Sequence, residues 1–261
     1  MTTDFGGSAR ATLEAAHPSL VELSHRIYQN PELGFEEVKA SGWVADALES
    51  AGFEVQRGYG GMDTAVVGTI GHGSLHLAIC LEYDALPGVG HACGHNVICA
   101  AGLGAAFALA PLVDELDLKL SVLGTPAEEG LGGKIGFIDA GYFRDVHAAM
   151  MVHPFPTDEA EPALIAVQQL AIDYRGKAAH AAGFPWMGIN AADAMVVAQT
   201  AIGLLRQQLR EGDLVHGFVT KGGDAANIIP EHTTAHYMIR ADTAARLREL
   251  RELVGRCFEA G

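Results

Sequence analysis

Positive charge is scarce in this sequence: 17 Lys and Arg stand against 32 Asp and Glu, a formal net charge of −15 over 261 residues. A surface this acidic repels phosphate backbones and anionic lipid, which argues against nucleic-acid partners and membrane-surface roles. Solubility alone accounts for the charge. Cysteine is scarce too. The four present (Cys80, Cys93, Cys99, Cys257) are too few and too oddly spaced for a disulfide framework. Three lie in or beside apolar segments, the usual surroundings of a reduced core cysteine. No Asn-x-Ser/Thr sequon occurs, and residues 1–10 lack a basic start followed by an apolar run, so no secretory signal is expected. These absences point to the cytoplasm. Long apolar runs are nearly missing as well. Residues 97–113 are apolar but sit at the lower length limit of a membrane span and hold Gly102, Gly104 and Pro111, so a buried helix is expected there. What is abundant is hydrophobic residues, 49% of the chain, with no low-complexity tract, which is the composition of a folded protein.

Apolar residues recur at helical spacing over residues 12–30 (Leu20, Leu23, Ile27) and 36–51 (Val44, Ala47, Leu48), with Pro31 breaking the chain between. Strands are expected at 64–69, 75–81, 118–123 and 148–152, and helices at 97–113 and 132–140. Strands alternating with helices imply α/β architecture, a mostly parallel sheet covered on both faces. Around residues 158–162 the chain turns acidic and Pro-containing. The pattern beyond is strand 164–175, helix 190–210, strands 214–221 and 233–240, and helix 244–258. That β-α-β-β-α order suggests a smaller α+β, ferredoxin-like unit. The expected domains are therefore 1–162 and 163–261.

Metal-type residues follow the strands in order. Strand 75–81 leads into Glu82-Tyr83-Asp84-Ala85-Leu86-Pro87 and then His91-Ala92-Cys93-Gly94-His95-Asn96. Strand 118–123 leads into Gly124-Thr125-Pro126-Ala127-Glu128-Glu129-Gly130, and strand 148–152 into His153-Pro154. Ligands bind outside the carboxyl ends of strands in an open parallel sheet, so three strands deliver Cys/His, Glu/Glu and His to one edge. Thiolate, imidazole and carboxylate together suit zinc or another divalent transition metal. Taken singly, each piece has a plainer explanation: a chance Cys-x-His, a solvated Glu pair, a hydrogen-bonded strand-end histidine. In a metal site, one Glu of the pair can ligate while its neighbour stays free as general base. Asp84 then suits the fixing of an imidazole tautomer, against the alternative of a turn residue ahead of Pro87.

The segments HRIYQNPELGFEE, YDALPGVGHACGHN, GTPAEEGLGGKIGFIDAGYF, GKAAHAA and NIIPE resemble the M20 peptidase superfamily, in its amidohydrolase branch, over residues 25–240. The resemblance implies a two-metal catalytic domain, with zinc or manganese and possible cobalt, interrupted by a lid domain that often mediates homodimerisation. It implies metal ligands at Cys93, His95, Glu129 and His153 and a general base at Glu128. It further implies a lid histidine at His180 that helps stabilise the tetrahedral intermediate, and an Asn at Asn227. Arg240 suits a clamp for a substrate carboxylate or, equally, a surface strand position. The implied substrate is an N-acyl amino acid, an aminobenzoyl-glutamate-like compound or a dipeptide.

Two departures bear on this. Asn96 stands where many relatives carry Asp, which resembles the dipeptide and aminobenzoyl-glutamate hydrolases. The family also usually supplies a last His ligand from beyond the lid. With the chain ending at Gly261, the expectation is of an N-terminal fragment that binds metal but has little hydrolase activity. Three rivals stand beside this reading. They are a nucleophilic Cys93 with His95 as base, an inactive homologue that binds a partner through its lid, and a structural zinc site.

Overall fold

The computed structural model describes residues 4–261; of the N-terminal stretch considered above, residues 1–3 lie outside the described residues. The chain divides between Asp158 and Glu159 into two compact units.

In the first unit the chain runs through α1 (Phe5–Tyr28), α2 (Val38–Ser50), β1 (Glu54–Tyr59), β2 (Met62–Ile70), β3 (Leu75–Leu81), α3 (His95–Leu109) and β4 (Leu118–Gly124). It ends with α4 (Glu128–Leu131), α5 (Gly133–Asp139) and β5 (Ala148–Met150). The strands form one sheet in the order β1-β2-β4-β3-β5. Its parallel part is β4-β3-β5, while β1 and β2 add an antiparallel edge. Strand β1 was not expected from the sequence. Gly60 and Gly61 both take positive φ and close a two-residue hairpin between Tyr59 and Met62, a turn that only an antiparallel pair can use.

Alternation along the strands sends side chains to two cores. Ile79, Leu81, Leu118, Leu120 and Val122 pack with Ile27, Val44, Leu48 and Leu103 from α1, α2 and α3. Ala78, Cys80, Val67 and Leu123 face the other way, onto Phe137 of α5. The apolar segment His95–Leu112 is long and apolar enough to cross a membrane by length and composition. Here it packs on the sheet. A side chain at Gly102 would come within 2.2 Å of Leu81 Cδ2, so this glycine sets how closely α3 approaches β3.

The second unit holds β6 (Ala166–Arg175), α6 (Ala191–Leu205), β7 (Leu214–Lys221), β8 (His232–Ala241) and α7 (Ala244–Glu259). Its sheet, ordered β6-β8-β7, is antiparallel throughout. Val215, Ala235, Tyr237 and Ile239 meet Met195, Ala198, Ile202, Leu250, Val254 and Phe258 of the two helices. Asn190 Oδ1 accepts from Ala192 N at 3.0 Å and Thr243 Oγ1 from Arg246 N at 3.1 Å, so both helices start on a side-chain cap. The expected helix over 190–210 stops as an α-helix at Leu205 and tightens into a 3-10 turn, Arg206–Gln208.

Candidate metal centre

Parallel register brings the ends of three strands together. Leu81 pairs with Gly124, and Ile79 with Met150, so the segments that follow β3, β4 and β5 leave from one edge of the sheet. After β3 come Glu82, Tyr83 and Asp84, all buried. Gly94, at φ +83°, separates Cys93 from His95, the first residue of α3. A Cβ at Gly94 would sit 3.0 Å from Pro154, so glycine meets both the backbone conformation and the close approach of the β5 segment.

His95 is the hub. Its Nδ1 lies 3.0 Å from Asp84 Oδ1, which fixes a proton on Nδ1 and leaves the Nε2 lone pair free. Around Nε2 stand Glu82 Oε2 at 3.5 Å and Glu128 Oε2 and Glu129 Oε1 at 3.8 Å each. Cys93 Sγ is 3.7 Å from His153 Nε2, and His153 Nδ1 is 2.8 Å from the carbonyl of Pro154. Donor atoms of Cys93, His95 and His153 lie within 4.8 Å of one another, as do those of Glu82, His95 and Glu128. Asp84 also uses its second oxygen, accepting from Glu129 N at 2.9 Å, so one carboxylate aligns both an imidazole and the Glu pair.

The donor set fits a divalent cation. His95 Nε2 and Glu82 Oε2 are buried and have no hydrogen-bond partner among the described residues. Leaving such atoms unsatisfied is costly unless something else binds them. Two ligands each roughly 2.0–2.3 Å from a tetrahedral ion stand about 3.3–3.8 Å apart, the spacing found around Nε2. Electrostatics point the same way. Burial, then the charge of Glu129, pushes the Cys93 thiol up to about 11. Burial and the neighbouring Glu82 raise the Glu128 carboxyl, which Lys134 opposes. At Asp84, burial is outweighed by the hydrogen bonds from His95 and Glu129, and the carboxyl is lowered; His95 is raised, its pairing with Asp84 overcoming burial.

Some of the site was not anticipated. Glu82, beside the expected residues, has its other oxygen on the Lys134 ammonium. Its signal was available: a carboxylate immediately after an apolar strand, at the carboxyl edge. Glu37 is wholly buried behind the Glu pair, accepting from Thr64 Oγ1 and Ala127 N, each at 2.8 Å. In the second unit, His180 and Asn227 belong to adjoining loops. His180 bridges to Ile228, and Ala181 N donates to the carbonyl of Asn227 at 3.0 Å. Arg240 is not brought to them. It pairs with Val167 and Leu214, whereas the His180 side of the sheet is marked by the pair Arg175–His232, about 26 Å away along β8.

Residues 167–260 match the M20 family model described as "Peptidase dimerisation domain". The Xaa-Arg dipeptidase of Mus musculus is 38% identical, over 97% of this chain and 62% of its own length. The chain belongs to the M20 peptidase superfamily. Another relative of this M20 chain, a p-aminobenzoyl-glutamate hydrolase chain of Escherichia coli (strain K12), is 31% identical over 95% of the present chain and 56% of its own length. The chain therefore spans about three fifths of the curated relatives it matches. The fold is shared with the YXEP protein of Bacillus subtilis, a dinuclear metal binding peptidase from the M20 family. That likeness has a TM-score of 0.69 at 23% identity and covers 94% of this chain and 70% of that one.

Proposed function

We propose that this M20 chain is the metal-binding part of an amidohydrolase that cleaves the amide bond of a dipeptide, an N-acyl amino acid or an aminobenzoyl-glutamate-like compound. The observation that carries the reading is the pair of unpartnered buried atoms, His95 Nε2 and Glu82 Oε2, ringed by Cys93, Glu128, Glu129 and His153. Cys93, His95, Glu129 and His153 hold divalent ions, two in the complete site, with zinc or manganese suited to the donors and cobalt compatible. What such ions supply is Lewis acidity toward the amide carbonyl and toward water.

The chain's own residues do the rest. Glu128, with its side chain 44% exposed and no assigned metal, takes the proton of the attacking water and passes it to the leaving amine nitrogen as the C–N bond breaks. Asp84 keeps His95 in the tautomer that leaves Nε2 unprotonated. His180 and Asn227 are assigned to polar contacts with substrate, and the second unit to homodimer formation, as its family match supports. A nucleophilic Cys93 is disfavoured, because a thiol pushed up to about 11 is protonated at neutral pH, opposite to what a cysteine nucleophile needs. Four unpaired cysteines suit a reducing compartment, the cytoplasm.

The test pairs metal analysis with hydrolysis of a panel of dipeptides and N-acyl amino acids. Glu128→Gln should keep its metal and lose about 10²–10⁴-fold in turnover. Loss of metal in that variant would make Glu128 a ligand and overturn the division of roles.

A further inference from the structure

Glu37 occupies the residue before α2 begins, where a side chain ordinarily caps the helix, yet it makes no cap hydrogen bond. The helix amides are served instead by Glu32, whose carboxylate accepts from Lys39 N and Ala40 N. Glu37, fully buried, sends its carboxylate the other way: Oε2 to Thr64 Oγ1, 27 residues on, and Oε1 to Ala127 N, 90 residues on. Ala127 immediately precedes Glu128 and is held at φ +56°, ψ 46°, the left-handed region that alanine rarely enters. Thr64 is tied in from a second side, since its carbonyl accepts from Tyr83 Oη at 2.6 Å and Tyr83 lies between Glu82 and Asp84.

We propose that Glu37 is a positioning residue, whose hydrogen bond to Ala127 N holds the 126–129 turn in its left-handed form and so aims Glu128 and Glu129 at His95. This rests on reading the edge as a metal centre. Thr64 is the anchor: through Glu37 it fixes the segment after β4, and through Tyr83 the segment after β3. Two acidic segments far apart in sequence are thereby set against one residue of β2. A plain stabilising role does not need the acceptor to fall on the one amide adjoining Glu128.

Co²⁺ titration, followed by the thiolate-to-cobalt absorption band, gives the test, with circular dichroism to confirm folding. Glu37→Gln keeps an acceptor for Ala127 N and a donor for Thr64 Oγ1, and should bind Co²⁺ within about threefold of the unsubstituted protein. Glu37→Met fills the space without an acceptor; it should bind at least tenfold more weakly, with a shifted band. Adding Ala127→Gly, which enters the left-handed region unaided, should recover most of that loss. A folded Glu37→Met with unchanged affinity and band would overturn the proposal, as would Glu37→Gln failing as badly as Glu37→Met or no recovery from Ala127→Gly. Should Glu37→Met not fold, hydrogen exchange of the Ala127 amide decides. Protection like that of β4 amides supports the brace, and open-loop exchange refutes it. If the unsubstituted protein binds no Co²⁺, the metal reading fails, and the same exchange measurement still judges the brace alone.

Discussion

Replacing Asp84 by asparagine isolates the residue on which the geometry of the site converges. Asp84 presents two acceptors to two donors: Oδ1 to His95 Nδ1 at 3.0 Å and Oδ2 to Glu129 N at 2.9 Å. An asparagine there would offer one acceptor and one donor. If its oxygen faces Glu129 N, its NH₂ meets His95 Nδ1 and forces the proton onto Nε2, the atom that must stay bare to ligate. If its oxygen faces His95, the NH₂ opposes the Glu129 amide and displaces the Glu pair. Either orientation loses one bond, and the side chain is fully buried, so water cannot substitute. Loss of such a ligand-orienting partner typically weakens metal binding about 10–100-fold, which corresponds to roughly 1.4–2.8 kcal/mol. Competition for Zn²⁺ against a chromophoric chelator, on folded Asp84→Asn, reads this directly. Affinity within threefold of the unsubstituted protein would show that Asp84 does not set the His95 tautomer, and the tautomer argument would fall.

Cys93 as a ligand should react slowly with iodoacetamide at pH 9 in metal-loaded protein and faster after chelation; equal rates would remove it from the ligand set. Thr243→Ala removes the cap on α7 and should cost about 0.5–2 kcal/mol in the second unit, measured by urea unfolding. Leu120, fully buried in β4, should cost about 2–5 kcal/mol on replacement by Ala, read from the midpoint of the first unit's unfolding. Asp213 is held below the usual carboxylate range, chiefly by hydrogen bonds from Arg246. A depressed folded value means the contribution is full above the ordinary aspartate value of about 3.9 and fades as pH drops through the folded value. Asp213→Asn should therefore melt lower at pH 7 and converge with the unsubstituted protein in strong acid; a gap that persists there would refute the assignment.

Periodicity gave most elements, down to the bounds of β3 and β7, because each carries its own apolar pattern. Strand order then sufficed to gather Cys93, His95, the Glu pair and His153 at one edge. Strand β1 escaped because Glu54–Tyr59 lies at the sheet's edge with little buried side chain, so no alternation marks it. The Gly60-Gly61 turn was its only readable sign. Glu82 and Glu37 escaped for a different reason. A carboxylate reads as surface until its partners are known, and those of Glu37 stand 27 and 90 residues away. Asp84 could be read because its partner His95 was already suspected as a ligand.

The 60 residues between Cys93 and His153 have a thermodynamic consequence. Neither β3 nor β5 alone carries a complete set of donors, so an unfolded chain has no preformed chelate, and ion binding selects the assembled sheet. By mass action, free metal at a hundred times its dissociation constant adds about 2.7 kcal/mol to the unfolding free energy. That gain falls on the first unit, since the second contributes none of these donors. The ion supply of the surroundings then governs the folded lifetime of one half of the chain, and a chelator acts on that half as a denaturant.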